Sequence, residues 1–466
     1  LGFSGLQTGT NPTIGTTDIT ATGRGIMGRV NYSFRDRYLL TTSYRVDSYS
    51  AFGESNPNAF FPSMSVGWVL SEEPFFDVDF VDNLKLRFSW GNNGNRSIGV
   101  FSALQRFNSD AAIFGSETEF GLNVQNLGNS DLQWESTESF NIGIDFALFS
   151  ERLTGSFDLY DMKTTDLLLQ RVLPQATGFD NVFSNLGRVD NRGLEISLNS
   201  VNIQQNDLLW NSTLNVSMNR NKVKSLFGNM VDIVDEEGNV IGQREADDFT
   251  NEYFIGQPLD VIWDYEVLGV YQLGEEEEAA KFGKAPGDFK LRDVNGDGAL
   301  TPREDKVFQG HTEPAARLSL SNTINYKNFQ FSVLLTSQLG QKNTFEYSNN
   351  FSPRINNDFR IGRTNHFKRP FWTPENPTNQ YARLSSQFNP QHSFWSKQSF
   401  VRIQNVSAAY NIPTENLGLL GGLKNLQITT NIRNVFLWTW GNWEFFDPET
   451  KDKAPRNYSL GVNLSF

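Results

Sequence analysis

Short stretches of strict apolar and polar alternation recur along this whole chain, and they leave few folds open. The C-terminal segment is the cleanest case. Tyr458, Leu460, Val462, Leu464 and Phe466 fall on one face, with Asn457, Ser459, Gly461, Asn463 and Ser465 on the other. Strand side chains repeat every second residue, so one face is wholly apolar and the other small and polar, over the length a tilted strand needs to cross a bilayer. A single strand of this kind also fits a half-buried sheet of a soluble sandwich. Repetition narrows the choice.

Alternation marks about thirteen segments, around 22–34, 38–47, 63–71, 84–91, 136–149, 153–163, 192–202, 208–222, 314–326, 328–340, 398–412, 424–437 and 456–466. Tight polar turns join many of them, the pattern of β-hairpins and not of βαβ units. In the fifth, Phe140, Ile142, Ile144, Phe146 and Leu148 oppose Asn141, Gly143, Asp145 and Ala147, which turns Asp145 toward a wet lumen. Connections are short after Phe34, Phe149, Ile203, Tyr326 and Ile412, and long after Asp47, Gly94, Thr164, Lys222, Gly340 and Leu437. Outer-membrane barrels have this asymmetry, with short periplasmic turns and long outside loops. The expected fold is therefore all-β, a transmembrane antiparallel β-barrel. Placing Phe466 at the periplasmic side puts every long connection outside, including the insertion 223–313.

Composition agrees. No uncharged apolar run approaches the length of a membrane-spanning helix, yet the chain holds 39 Phe, 13 Tyr and 10 Trp in 466 residues. A net charge of -13 argues against a nucleic-acid partner, and the absence of cysteine excludes disulfides, iron–sulfur clusters and thiolate zinc sites. The chain opens Leu-Gly-Phe-Ser-Gly, without an initiating Met or a signal-peptide pattern, and its odd strand number starts outside. Both points lead to the expectation of a processed or incomplete chain, with further strands upstream.

Between the eighth and ninth segments, Asp293-Val-Asn295-Gly-Asp297-Gly298-Ala-Leu-Thr301-Pro-Arg-Glu304 matches the calcium-loop pattern D-x-[DN]-x-[DN]-G-x₅-E. Asp293, Asn295 and Asp297 would supply oxygens, the Ala299 carbonyl a fourth, Thr301 one through water, and Glu304 would close the shell. Pro302 and the lack of flanking helices depart from a helix-loop-helix hand, and an Asp/Asn/Gly-rich turn without metal is the plainer alternative. The run Glu275–Glu278 reads as a solvated surface.

Aromatics crowd the late connections. Trp372 and Trp395 could stack on sugar rings or peptide side chains, whereas Trp438 and Trp440 suit an aromatic girdle at the membrane boundary; Trp443, Phe445 and Phe446 lie close by. His311, His366 and His392 lack zinc-site spacing, and no nucleophile with its base, nor any phosphate-cradling loop, can be assembled. Gly91-Asn-Asn-Gly-Asn95 reads as a strand-to-loop transition. No enzyme is expected.

Several blocks also resemble the SusC/RagA-like TonB-dependent outer-membrane transporters of Bacteroidetes. They are Asn31-Tyr-Ser-Phe-Arg-Asp-Arg-Tyr-Leu-Leu40, Phe61-Pro-Ser-Met-Ser-Val-Gly-Trp68 with Ser71-Glu-Glu-Pro-Phe75, and Leu84-Lys-Leu-Arg-Phe-Ser-Trp-Gly-Asn-Asn-Gly-Asn95. Leu132-Gln-Trp-Glu-Ser-Thr-Glu138, Asn141-Ile-Gly-Ile-Asp145, Asn185-Leu-Gly-Arg-Val-Asp-Asn-Arg-Gly-Leu-Glu195, the Asp293–Glu304 loop, and Asn434-Val-Phe436 before Asp447-Pro-Glu449 follow in order. The resemblance implies a 22-stranded barrel filled by an N-terminal plug and powered by TonB-ExbB-ExbD. A SusD-like surface lipoprotein would close over the mouth and pass on glycans or oligopeptides. Only the C-terminal part of such a barrel is represented here, and the plug lies outside this chain. Phe466 resembles the terminal aromatic read by outer-membrane assembly machinery. Two other readings stay open: a passive porin or structural surface barrel, and a soluble, calcium-dependent β-rich binding module.

Overall fold

The computed structural model describes residues 5–6, 14–15, 19–100, 102–114, 117–173, 175–179, 181–235, 237–344, 370–386, 389–413, 424–441, 443, 446–450 and 452–465. His366, Phe445 and Phe466 lie outside them. Its centre is one 13-stranded sheet in which every strand pairs antiparallel with its sequence neighbours. We number these wall strands β1 (Gly23–Phe34), β2 (Tyr38–Tyr49), β3 (Asn58–Val69), β4 (Val81–Asn95), β5 (Glu135–Leu148), β6 (Leu153–Thr165) and β7 (Arg188–Gln205). The series continues with β8 (Leu208–Ser225), β9 (Ala316–Tyr326), β10 (Phe329–Leu339), β11 (Phe400–Ile412), β12 (Asn425–Thr439) and β13 (Asn457–Ser465). Each overlaps one segment marked by alternation. The sheet is open, because β1 and β13 do not pair with each other.

Register carries one apolar face across the wall. Tyr458 of β13 lies opposite Ile432, Ile432 opposite Val406, and Val406 opposite Val333. Farther along, Leu194, Leu159, Ile142 and Phe88 stand in one row from β7 to β4. These side chains are not covered. Ile142 is 58% exposed, Phe88 41% and Leu159 47%, although all three lie on strands paired on both sides. A soluble sandwich buries that face, so a continuous uncovered apolar surface of this extent fits a lipid-facing wall. Aromatic side chains gather at both ends of the face. Phe34 with Tyr38, Phe80 with Phe149, and Phe329 with Tyr410 pack at the short turns, while Trp438 and Trp440 stack at 5.9 Å at the opposite end.

Two strands depart from simple alternation. β3 begins at Asn58 and not near 63, so Pro62 lies inside it, paired with Tyr44 of β2. Proline lacks a ladder donor, but pairing of β3 with β4 begins only at Ser63, so Pro62 sits where that side of the strand is unpartnered. In β11, Ile403 and Val406 would face opposite ways in a regular strand. A register shift between Ile403 and Asn405, matched in β12 by Asn434 in the left-handed region (φ 54°), turns both outward. The Gly91–Asn95 stretch continues β4, paired with β5 as far as Glu135, which corrects its reading as a strand-to-loop transition.

The well-buried hydrophobic residues gather at the long-connection end. Phe52, Ala103, Leu132 and Trp134 form one cluster, and Val189, Val223 and Leu226 a second. A third, Val270, Phe289, Trp372 and Ala382, joins the connection 226–315 to the connection 340–399. The former contains the paired strands Val261–Tyr265 and Lys306–His311, Val267–Val270 and Phe289–Leu291, and the hairpin Met230–Val234 with Val240–Glu245. No helix of the described residues is long and apolar enough to cross a membrane.

Candidate functional site

The face opposite the apolar one is polar and charged. Arg87, Gly143, Asp158, Glu195, Ser217 and Arg317 stand in register from β4 to β9. The Arg87 guanidinium donates to Asp158 at 2.9 Å and pairs with Asp145 at 2.8 Å, so Asp145 lies on the polar wall as its alternation implies. Gly143 makes this possible: a Cβ there would lie 2.5 Å from Asp158 Oδ1 and 2.7 Å from Arg87 Cζ. Beyond it, Ser156, Ser197, Asn215, Ser217 and Ser319 line a shallow groove of about 330 Å³ between Asp158, Glu195 and Arg317. Such a wall, with many donors and acceptors, suits hydrated polar solutes or a polar protein surface.

At the mouth the last connection folds onto this wall. Arg402 alternates with the outward Val401 and Ile403, so it points inward, and its side chain is 4% exposed. It pairs with Asp447 at 2.6 Å and Glu449 at 3.2 Å. Asp447 also accepts the backbone N–H groups of Glu449 and Thr450, and Gln398 donates to the Pro448 carbonyl. The Asp447-Pro-Glu449 block is thus a turn latched inside the rim. Trp443, buried, donates to the Phe446 carbonyl, whereas Trp438 is exposed on the apolar face opposite Val401.

The connections 226–315 and 340–399 are stitched together by buried carboxylates. Arg383 forms two hydrogen bonds with Asp288, at 2.9 and 3.0 Å. Asp264 accepts Trp395 Nε1 at 2.9 Å and the Ser393 N–H at 3.0 Å. Trp372 is 6% exposed and donates to Gln272 Oε1, so it is a packing residue of this joint. Burial leaves it no ring face for a ligand, which corrects the stacking role expected of it. Trp395 stays partly exposed and lines a cleft. Burial pushes His392 below the usual imidazole value, so it remains neutral near pH 7, and His311 stands 3.9 Å from Asp260. Of the acidic run, Glu275 and Glu278 pair with Lys290 at 3.1 and 2.9 Å.

The Asp293–Glu304 loop is wound tightly. Asp293 accepts the N–H groups of Gly296 and Gly298, both glycines having φ near +80° (77° and 81°), a conformation that favours their lack of a Cβ. Asn295 Nδ2 stands 3.1 Å from Asp297 and 3.3 Å from Glu304, and Thr301 Oγ1 donates to Glu304 at 3.0 Å. The side chains of Asn295, Asp297, Thr301 and Glu304 therefore converge, with the amide nitrogen between two carboxylates where a cation would sit. As they stand, no three His, Cys, Asp or Glu side chains among the described residues are grouped closely enough to hold an ion. Fitting one requires the Asn295 amide to present its oxygen instead. Sequence reasoning missed Asp305, which is fully buried and accepts the N–H groups of Val294 and Thr301, pinning both ends of the loop. It also missed Asp264 and Arg383, for which neither spacing nor alternation carries a signal, and Arg402, whose place between Val401 and Ile403 was the signal that could have found it.

Residues 2–435 match the family model described as TonB dependent receptor-like, beta-barrel. The chain belongs to the TonB-dependent receptor family. TonB-dependent receptor P26 of Formosa agariphila is 30% identical over 468 residues, covering 94% of this chain and 46% of that receptor. TonB-dependent receptor SusC of Bacteroides thetaiotaomicron is 28% identical over 460 residues, covering 94% of this chain and 43% of SusC. The fold is shared with the RagAB peptide importer in its open-open state, at a TM-score of 0.75 and 21% identity, over 99% of this chain and 48% of that one. This TonB-dependent receptor chain thus spans less than half the length of these curated relatives.

Proposed function

We propose that this chain forms the C-terminal wall of an active importer of SusC/RagA type in the bacterial outer membrane, with the long connections extracellular. Its cargo is glycans or oligopeptides, received from a SusD-like lipoprotein lid. TonB-ExbB-ExbD supplies the energy through a plug outside this chain. The observation that carries this reading is the division of one thirteen-stranded wall into an uncovered apolar face and a charged, serine-rich inner face. The cargo class and the lipoprotein partner follow from the resemblance of the sequence blocks to SusC/RagA-like transporters. No covalent chemistry is involved.

A passive porin would share the same lipid-facing physics, so the test uses the energy source. In cells that express the intact receptor, uptake of labelled oligosaccharide or oligopeptide mixtures is expected to vanish when either the receptor gene or TonB is deleted. Uptake that persists without TonB would replace this reading with the passive one.

We also propose that the Asp293–Glu304 loop takes one calcium ion, held by Asp293, Asn295, Asp297, the Ala299 carbonyl and Glu304, with Thr301 acting through water. The convergence of Asn295, Asp297, Thr301 and Glu304 and the two positive-φ glycines support it. Isothermal titration of the chelated receptor with calcium is expected to give one saturable site that Asp293→Ala removes. A flat titration at millimolar calcium would exclude the ion.

A further inference from the structure

Where the connection 226–315 meets the segment 390–395, a cleft of about 410 Å³ opens beside the rim of the wall. The connection is tied to the end of β8, where Asn221 accepts the Leu259 N–H at 2.7 Å. The polar margin of the cleft is formed by Glu252, Lys306 and Gln391, and its aromatic side by Trp395 and Trp263. The ion pair between Lys306 and Glu252 closes at 2.9 Å, and Asp264, which also lines the cleft, accepts the N–H groups of Tyr265, Ser393 and Trp395. Lys306 and Glu252 keep spare capacity, since an ammonium has three donors and a carboxylate several acceptor sites. Trp263 is already engaged: it is buried against Phe254 and Phe249, with the Lys306 ammonium 4.6 Å over its ring. The ring left for a ligand is that of Trp395. Its N–H is tied to Asp264, whose other oxygen accepts the Tyr265 N–H, so the indole is held in one orientation before anything binds.

We infer that this cleft is a binding subsite for one neutral sugar ring, stacked on Trp395 and hydrogen-bonded through its hydroxyls to Glu252, Lys306 and Gln391. A fixed indole beside a paired ammonium and carboxylate suits a ligand with apolar C–H faces and a rim of hydroxyls. A peptide carboxyl terminus would need an unpaired cation, which the lining lacks: Lys306 is paired with Glu252, and the remaining charge, Asp264, is a carboxylate that accepts three N–H groups. An oriented ring also lowers the ordering cost of binding. The subsite rests on the glycan side of the import reading.

Saturation-transfer NMR on the detergent-solubilised receptor tests it, using the methyl glycosides of glucose, galactose, mannose and xylose as probes. At least one should receive saturation at its ring C–H protons. Glu252→Gln, a near-isosteric change at a half-exposed side chain, should weaken its apparent affinity about tenfold through the loss of a charge-assisted hydrogen bond. Trp395→Ala should abolish the signal. Absence of transfer from all four glycosides, or equal transfer in both variants, would overturn the subsite. TonB-dependent uptake is measured separately, so its loss would sink the import reading whatever the cleft binds.

Discussion

Replacing Arg402 by alanine is expected to destabilise the mouth by about 3–5 kcal/mol, because it strands the buried carboxylate of Asp447 without its partner. The cost comes from desolvation. Asp447 is 6% exposed, so water reaches it poorly once the guanidinium is gone. Thermal unfolding in detergent should move to lower temperature, and limited proteolysis should newly cut within 440–456, since the Asp447-Pro-Glu449 turn is held from that one side chain and from Gln398. Combining Arg402→Met with Asp447→Asn should recover much of the loss, because removing both charges leaves no ion buried alone. Unchanged melting in Arg402→Ala would show that the latch contributes nothing.

The second large effect separates the two faces of a single strand. Leu460 sits near the middle of β13, 77% exposed on the apolar face, while Ser459 beside it belongs to the inner face. Leu460→Arg should cost about 2–4 kcal/mol if that face meets hydrocarbon, and Ser459→Arg should cost little. Heat-modifiability on gels and the yield in the membrane fraction read the difference. In a soluble protein the order would reverse or vanish, since an exposed leucine exchanged for arginine in water is nearly neutral. Equal assembly of both variants would remove the lipid-facing assignment.

The wall was legible because one physical rule repeats in it: a strand between lipid and a wet lumen must alternate, and register then copies that pattern sideways. Local exceptions were hidden for the same reason. The shift at Ile403 and Asn405 breaks the period, and Pro62 discourages a strand unless one knows that its neighbour is absent on that side. The loops followed no such rule. The hairpin Leu168–Val172 with Asn181–Asn185 carries little alternation, and its Leu168 and Phe183 pack on a cluster that includes Phe52 and Trp134, distant in the chain. Trp372 illustrates the limit, since sequence shows an aromatic in a loop but not that Phe289 and Ala382 enclose it. The Asp293–Glu304 loop was visible as spacing, whereas Asp305, one residue beyond the pattern, was not.

The stitching of the two longest connections bears on how such a chain can diversify. Asp288 and Arg383 come from different connections, as do Asp264 and Trp395. Transplanting either connection alone, from a chain that lacks these partners, is expected to leave a buried acid unpaired, so the two connections work as a matched pair. A change at this end that keeps both acids partnered has to alter two distant stretches of the chain together, while the intervening strands β9 and β10 supply neither partner.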